Sequence, residues 1–332
     1  MSNSIYLYAL DAENGDCLLL VNDSTNYTVL IDSGPKSSSV STRLIKRIKS
    51  IISERAIDLA IVTHNDDDHI GGFKSFLNQG LVTKKFIFNH HDFIDKVLNR
   101  PRDVKVSLKQ DIELESTVRD IIIPLEMSDN GYFSDMIFDE FRIKFRSPNK
   151  PKLESYSNWL RLEKNKKRNV KVANGKQSIS ISDCRKHASD DNFFIEDKRE
   201  PNGSSLALDI SFHSYRVLLL GDAHPTAVIE SYKNEQEEKI EYDLVKLSHH
   251  GSEKNTNNQL LNMFHCRNYL ICSNADNNHN HPSPTTIFRI LNNKASSIYI
   301  TKNSNKVEDL ERTLKVKLNK PNTDYLEFKY EF

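Results

Sequence analysis

The stretch Thr63-His64-Asn65-Asp66-Asp67-Asp68-His69-Ile70-Gly71-Gly72 constrains this chain more than any other. It follows residues 57–63, a nearly all-apolar run that reads as an interior strand. Two imidazoles and three carboxylates are therefore crowded into six residues at a strand end. Adjacent carboxylates in a confined loop repel one another. A divalent cation reverses that sign, and His and Asp are suitable ligands for it. The bland alternative is a solvated acidic turn. The strand-end position, the flanking histidines and the Gly-Gly exit favour the cation.

The same pairing of strand end and ligand residue recurs. Leu218-Leu219-Leu220-Gly221-Asp222-Ala223 closes an apolar strand on a carboxylate, and Leu247-Ser248-His249-His250-Gly251-Ser252 closes the next on two imidazoles. Asn278-His279-Asn280-His281-Pro282-Ser283-Pro284 follows the strand after that. Three successive strand ends deliver metal-type residues, whereas chance would scatter them over both edges. The isolated pair His90-His91 reads as packing or surface.

Periodicity predicts strands at 5–10, 17–21, 27–31, 57–63, 86–89, 120–125 and 140–145, with a helix at 42–54. After a polar, irregular stretch at 146–200, strands follow at 205–212, 216–220, 243–248, 269–273 and 297–301. Helices are expected at 223–235, 259–264 and 284–291, and an edge strand at 325–332. Each half opens with adjacent strands before its helices, so two sheets with helices outside fit better than one parallel sheet. We expect one domain over 1–332, with an insertion at about 142–200 and a C-terminal extension at about 302–332. Residues 142–176 carry twelve Lys and Arg against two acids in a chain of 46 basic and 46 acidic residues. They form either a solvated insertion, a basic arm with Tyr156 and Trp159 facing a polyanion, or a protein-docking segment.

The hydrophobic content of 37% suffices for a full core and excludes whole-chain disorder. The longest apolar runs, 18–21 and 217–220, are strand-sized, so no membrane span is expected. The first residues lack a signal-peptide pattern, and a cytoplasmic location is expected. Four cysteines (17, 184, 266 and 272) are too few for a disulfide framework, and the spacing of Cys266 and Cys272 is not that of a zinc knuckle.

These motifs resemble the metallo-β-lactamase fold superfamily, and most closely the soluble lactamase-like domain of ComEC-type DNA-uptake proteins and their free-standing relatives. The resemblance is carried by Asn14-Gly15-Asp16-Cys17, Leu30-Ile31-Asp32-Ser33-Gly34, the His64–Gly72 loop, Asn202 with Ser205-Leu206, Leu220-Gly221-Asp222-Ala223, His249-His250-Gly251-Ser252 and His281-Pro282. It covers about 5–90 and 202–292, and it implies an α/β fold, a four-layer αββα sandwich with a polar, basic insertion. The superfamily's usual loop is His-x-His-x-Asp-His; Asp66 here replaces the second histidine, as in the ComEC-type branch. A further histidine usual between loop and Gly-Asp motif has no evident counterpart. His187 and His213 are poor candidates, while Asn202 falls near that position.

On this reading His64 and Asp66 hold one divalent metal, Asp68 and His69 a second, and Asp222 bridges them. One of His249 and His250 completes a shell. His250 is favoured because it heads a His-x-Ser pattern resembling the terminal ligand motif of the superfamily's nucleases. His249 is then available as proton donor or supporting contact, and Asp68 orients a hydroxide. Asn202, Ser252 and His281 are candidate substrate contacts, and Asp32 reads as a turn or supporting residue rather than a ligand. Two cations about 3.5–4 Å apart lower the pKa of bound water towards about 7. The carboxylate-rich cage suits zinc or manganese, with magnesium also compatible. The expected activity is therefore a metal-dependent phosphodiesterase or nuclease acting on nucleic acid or a nucleotide. The alternatives are a hydrolase of a small ester, lactam or thioester, or a partner-gated effector in a larger complex.

Overall fold

The computed structural model describes residues 3–100, 109–163, 179–235, 239–276, 281–292 and 296–332. Its strands are β1 (Ser4–Leu10), β2 (Leu18–Asn22), β3 (Thr28–Ile31), β4 (Leu59–Val62), β5 (Phe86–Phe88), β6 (Met136–Phe138), β7 (Phe141–Ser147), β8 (Ala207–Phe212), β9 (Tyr215–Leu219), β10 (Ile240–Tyr242), β11 (Leu244–Lys246), β12 (Phe264–Cys266), β13 (Asn268–Ile271), β14 (Ser297–Ile300) and β15 (Tyr325–Glu331). One sheet has the order β15-β1-β2-β3-β4-β5 and a second β14-β13-β11-β9-β8-β7-β6, while β10 and β12 pair apart. Both sheets change from antiparallel to parallel: β3, β4 and β5 run parallel, as do β9, β11, β13 and β14.

Strand alternation explains the layering. Leu18 and Leu20 of β2 face a core shared with the second sheet, whereas Leu19 and Val21 face outward into another. In β9, Val217 and Leu219 join the shared core while Leu218 turns the other way. A sheet apolar on both faces must be covered on both. Helices Ser38–Ile51 and Phe73–Asn78 cover the first sheet through Leu44, Ile45, Ile48, Phe73 and Phe76. Helices Pro225–Glu235, Pro284–Asn292 and Asn305–Leu314 cover the second. The result is the four-layer αββα sandwich. Residues 302–332 are integral to it, since β15 pairs with the whole of β1. Among the described residues no helix is long and apolar enough to cross a membrane, and all four cysteines are free thiols.

Three expectations need correction. Residues 120–125 form no strand: Arg119–Ile121 is a 3-10 turn, and Ile122 meets Phe86 through one isolated bridge. The helix expected at 259–264 stops early, spanning Asn258–Leu261, because Phe264 starts β12 with its ring edge-on against Tyr242. The largest difference is in the insertion. Helix Lys150–Glu163 buries Leu153, Tyr156 and Leu160, spaced as one helical face, in the inter-sheet core. Tyr156 is fully buried and Trp159 stacks on it at 5.8 Å, so these rings are part of the packing and not an open platform for a polyanion. Among the described residues of the run, most of the basic side chains are met by acids. Arg142 pairs with Asp135 (2.8 Å), Lys144 with Glu235 (2.9 Å), Arg146 with Asp209 (2.9 Å), Lys152 with Glu196 (3.2 Å) and Arg161 with Asp95 (3.1 Å). Lys164, Lys166, Lys167 and Arg168, the densest part of the basic run, lie outside the described residues, as does His279.

Candidate metal centre

The C-terminal ends of β4, β9, β11 and β13 lie at one edge of the two sheets, and the two halves are joined there by a hydrogen bond from Leu206 N to the Thr63 carbonyl (2.9 Å). Beyond β4 the chain turns through His64 and Asn65 into the short helix Asp67–Ile70, which brings His69 back under the loop. Beyond β9, Gly221 turns the chain with φ +48° so that Asp222 faces the loop. Beyond β11, His249 and His250 are both in the left-handed region, with φ of 48° and 53°. Two consecutive non-glycine residues there carry strain, and the result is that both rings are directed at the cluster.

The donors fall into two groups on either side of Asp222. On one side, His64 Nε2 lies 3.6 Å from Asp222 Oδ2 and 4.0 Å from Asp66 Oδ2, and His249 Nε2 lies 3.7 Å from Asp222 Oδ2. On the other, His69 Nε2 lies 3.3 Å from Asp222 Oδ1 and 4.0 Å from Asp68 Oδ2, which is 3.0 Å from His250 Nε2. His64 Nε2, His69 Nε2 and Asp222 Oδ1 are buried with no hydrogen-bond partner among the described residues. Unpaired buried polar atoms are costly. Three of them converging with His and Asp chemistry are what a cation site requires, and the residues fit a pair of divalent metals.

The electrostatics agree. Burial holds the His64 imidazole down at about 3, so it is neutral and offers a lone pair. His69 is buried too, yet Asp222, Asp32, Asp16 and Asp68 hold it well above the usual range. Burial likewise opposes charge on His250, but Asp222, Asp16 and Asp68 raise it to about 10. Such concentrated negative potential in a buried place is relieved by cations.

Behind these donors stands a set of orienting residues. Asp32 Oδ2 accepts from His69 Nδ1 (2.8 Å) and from the Thr63 hydroxyl (2.7 Å), leaving His69 Nε2 for the cluster. His250 Nδ1 donates to the Cys272 carbonyl at 2.9 Å. Asp197 Oδ2 lies 3.4 Å from His249 Nδ1 and accepts from the Asn202 amide at 2.6 Å. Asp16 reaches both His69 and His250, and its charge is met by the fully buried Lys246. The sequence reading did not single out Asp197, Lys246 or Arg199. Asp16 entered only within the Asn14-Gly15-Asp16-Cys17 motif of the resemblance, with no role of its own.

The remaining candidates are placed as follows. His249 faces Asp222 no less than His250 faces Asp68, so the two histidines divide between the groups. Asn202 is fully buried behind His249 and away from solvent. Ser252 is buried in the turn, its N–H donating to the His249 carbonyl at 2.9 Å. His281 remains beside the centre, its ring 5.0 Å from that of His249. His90 and His91 are buried, and the two ring nitrogens of His91 face Asp111 (2.8 Å) and Asp92 (3.0 Å), an ion-pair arrangement within the packing.

Gly221 offers a local test. A Cβ there would meet Ser205 Oγ at 2.5 Å, and its φ is one that side chains resist. Gly221→Ala should cost roughly 1–3 kcal/mol in a denaturant titration and reduce metal retention by moving Asp222. Wild-type stability together with wild-type metal content would show that the turn does not set the position of this carboxylate.

Residues 10–84 match the model of the metallo-beta-lactamase superfamily. Among curated protein sequences none matches the chain. Solved structures with a related outline include CmlA, a diiron beta-hydroxylase from Streptomyces venezuelae, at 10% identity and TM-score 0.43, covering 99% of this chain and 55% of that one. Two others are a candidate metal-dependent hydrolase from Parabacteroides distasonis (11% identity, TM-score 0.41, covering 95% and 92%) and a metallo beta lactamase from Hirschia baltica (12%, 0.30, covering 67% and 72%). The chain thus spans little more than half the length of CmlA.

Proposed function

We propose that this chain is a metal-dependent hydrolase of phosphodiesters, acting on nucleic acid or a nucleotide. The observation that carries the reading is Asp222, whose two carboxylate oxygens face two separate donor groups. His64, Asp66, Asp222 and His249 would hold one cation, and Asp68, His69, Asp222 and His250 the other. Four imidazoles and three carboxylates form a mixed set suited to zinc or manganese. When bound, such a pair supplies a nucleophile from water at neutral pH and stabilises charge on both the entering and leaving oxygens of a phosphodiester.

The chain's own contribution is alignment. Asp32 and the Cys272 carbonyl fix the rings of His69 and His250, and Asp197 fixes that of His249. Asp68, held ionised by His69 and His250 in spite of burial, is placed to orient the attacking water. The ComEC-type likeness of the His64–His69 loop and of His249-His250-Gly251-Ser252 supports nucleic acid as the substrate class.

The test is a screen of metal-loaded protein on bis-p-nitrophenyl phosphate, single- and double-stranded DNA, RNA and nitrocefin. Phosphodiester cleavage that a chelator abolishes and added metal restores is expected. Asp68→Asn should lower turnover roughly 10²–10³-fold, the loss expected when one aligned electrostatic group is removed. Cleavage of nitrocefin alone, or a wild-type rate in Asp68→Asn, would overturn the reading.

A further inference from the structure

Beside Asp66 stands a cationic side chain that none of the roles above uses. Arg199 Nη2 lies 2.8 Å from Asp66 Oδ2, and the Arg199 side chain is 57% exposed against 21% for Asp66. The guanidinium therefore sits on the solvent side of Asp66, within reach of a ligand at the His64 group. We propose that Arg199 is the anion clamp of the active site, a guanidinium that takes a non-bridging oxygen of the scissile phosphodiester. This inference rests on the phosphodiesterase reading above and names the residue that recognises the charge.

Three features support it. The first is how Arg199 is mounted. Its N–H donates to Asp197 Oδ1 (3.1 Å) and its carbonyl accepts from Gly203 N (3.1 Å). The carboxylate that fixes its backbone is the same one that orients His249, so the segment 197–203 sets a donor ring and the guanidinium in one register. The second is charge. Asp66, Asp68 and Asp222 carry three negative charges, and Asp16 is already met by Lys246. Two divalent cations exceed those three carboxylates, so Asp66 then competes weakly for Arg199, and an incoming phosphate oxygen competes well. The third is geometry. A guanidinium presents five N–H donors in a planar fork that suits phosphate, and the contact to Asp66 uses one nitrogen. A half-exposed ion pair contributes only about 0–1 kcal/mol to folding, so the pairing with Asp66 gives Arg199 little structural role.

The experiment compares wild type, Arg199→Ala and Arg199→Lys on bis-p-nitrophenyl phosphate, which is anionic, and on p-nitrophenyl acetate, which is neutral. Metal content is measured by elemental analysis, and titration of thymidine 5′-monophosphate is followed by calorimetry. Arg199→Ala should lower kcat/KM on the diester about ten- to hundredfold, the scale of a charge-assisted contact, and weaken the nucleotide by a similar factor. The ester rate and the metal content should stay within twofold of wild type, and Arg199→Lys should recover part of the loss. Equal losses on both substrates with reduced metal content would overturn the clamp and assign Arg199 to holding Asp66. Unchanged diester rates and nucleotide affinity would overturn it outright. If wild-type protein leaves every diester intact, the functional reading falls by itself. The nucleotide titration still decides the clamp, since equal affinity in wild type and Arg199→Ala refutes it.

Discussion

Asp222→Ala should empty both halves of the centre in a single step. Oδ2 of this carboxylate faces His64 and His249 and Oδ1 faces His69, so its loss removes a ligand from both groups, whereas Asp66→Ala removes one from the first group only. Elemental analysis of protein grown with manganese or zinc should find close to two metals per chain in wild type and a value approaching zero in Asp222→Ala. Asp66→Ala should fall between them. Turnover should drop about 10³-fold or more, since removing a single aligned group already costs 10²–10³. The fold should survive, because the Asp222 side chain lies at a strand end and its Oδ1 has no hydrogen-bond partner among the described residues. Circular dichroism checks that point. One tightly held metal, unchanged in Asp222→Ala, would rule out the two-cation arrangement.

Lys246→Met should be the most destabilising single change near the centre that removes no metal ligand. Lys246 is 0% exposed, contacts Asp16 and donates to the Gly221 carbonyl at 3.0 Å. Burial opposes its charge, but Asp16 holds the ammonium well above the usual lysine range. Burial also opposes ionisation of Asp16, which Lys246 and the neighbouring histidines hold well below the usual carboxylate range. Removing the ammonium leaves a buried carboxylate without its partner, a loss of about 3–5 kcal/mol. Urea titration of the metal-free protein measures it without interference from the cations. Pairing Lys246→Met with Asp16→Asn should recover much of the loss, because the orphaned charge is then gone. A single-variant loss below about 1 kcal/mol would show that water reaches Asp16 and that the pair is not buried as described.

What the sequence revealed depended on how local the signal was. The His64–His69 loop, Gly221-Asp222 and His249-His250 could be read because each lies a residue or two beyond an apolar run, and strand direction then sends them to one edge. The layering was legible for a similar reason: runs such as Leu18-Leu19-Leu20-Val21 are apolar on both faces and need cover on both. Long-range pairs were not legible. Asp16 and Lys246 lie far apart in the chain, and nothing near Lys246 marks it as more than a lysine in a buried strand. Asp197 and Arg199 sit in a polar stretch with no periodicity. The basic run was ambiguous for the same reason, since counting charge along the chain cannot show that Asp95, Asp135, Asp209 and Glu235 fold back onto its described part. In Lys150–Glu163 the spacing of Leu153, Tyr156 and Leu160 was present but masked by the surrounding lysines and polar residues.

The joint between Thr63 and Leu206 marks where two stretches of chain meet, and it imposes an order in time on the making of this protein. The ribosome releases His64, Asp66, Asp68 and His69 about 150 residues before Asp222 and later still His249 and His250. At about 5–20 residues per second, that first cluster waits roughly 8–30 seconds for its complement. During that interval the nascent loop can hold cations only as an open acidic turn, with fewer ligands than the closed set. The full set of four imidazoles and the shared carboxylate comes together only when the second sheet docks. A chain halted before Asp222 should therefore bind zinc and manganese more weakly than the full chain, with zinc ahead of manganese as at imidazole–carboxylate sites generally.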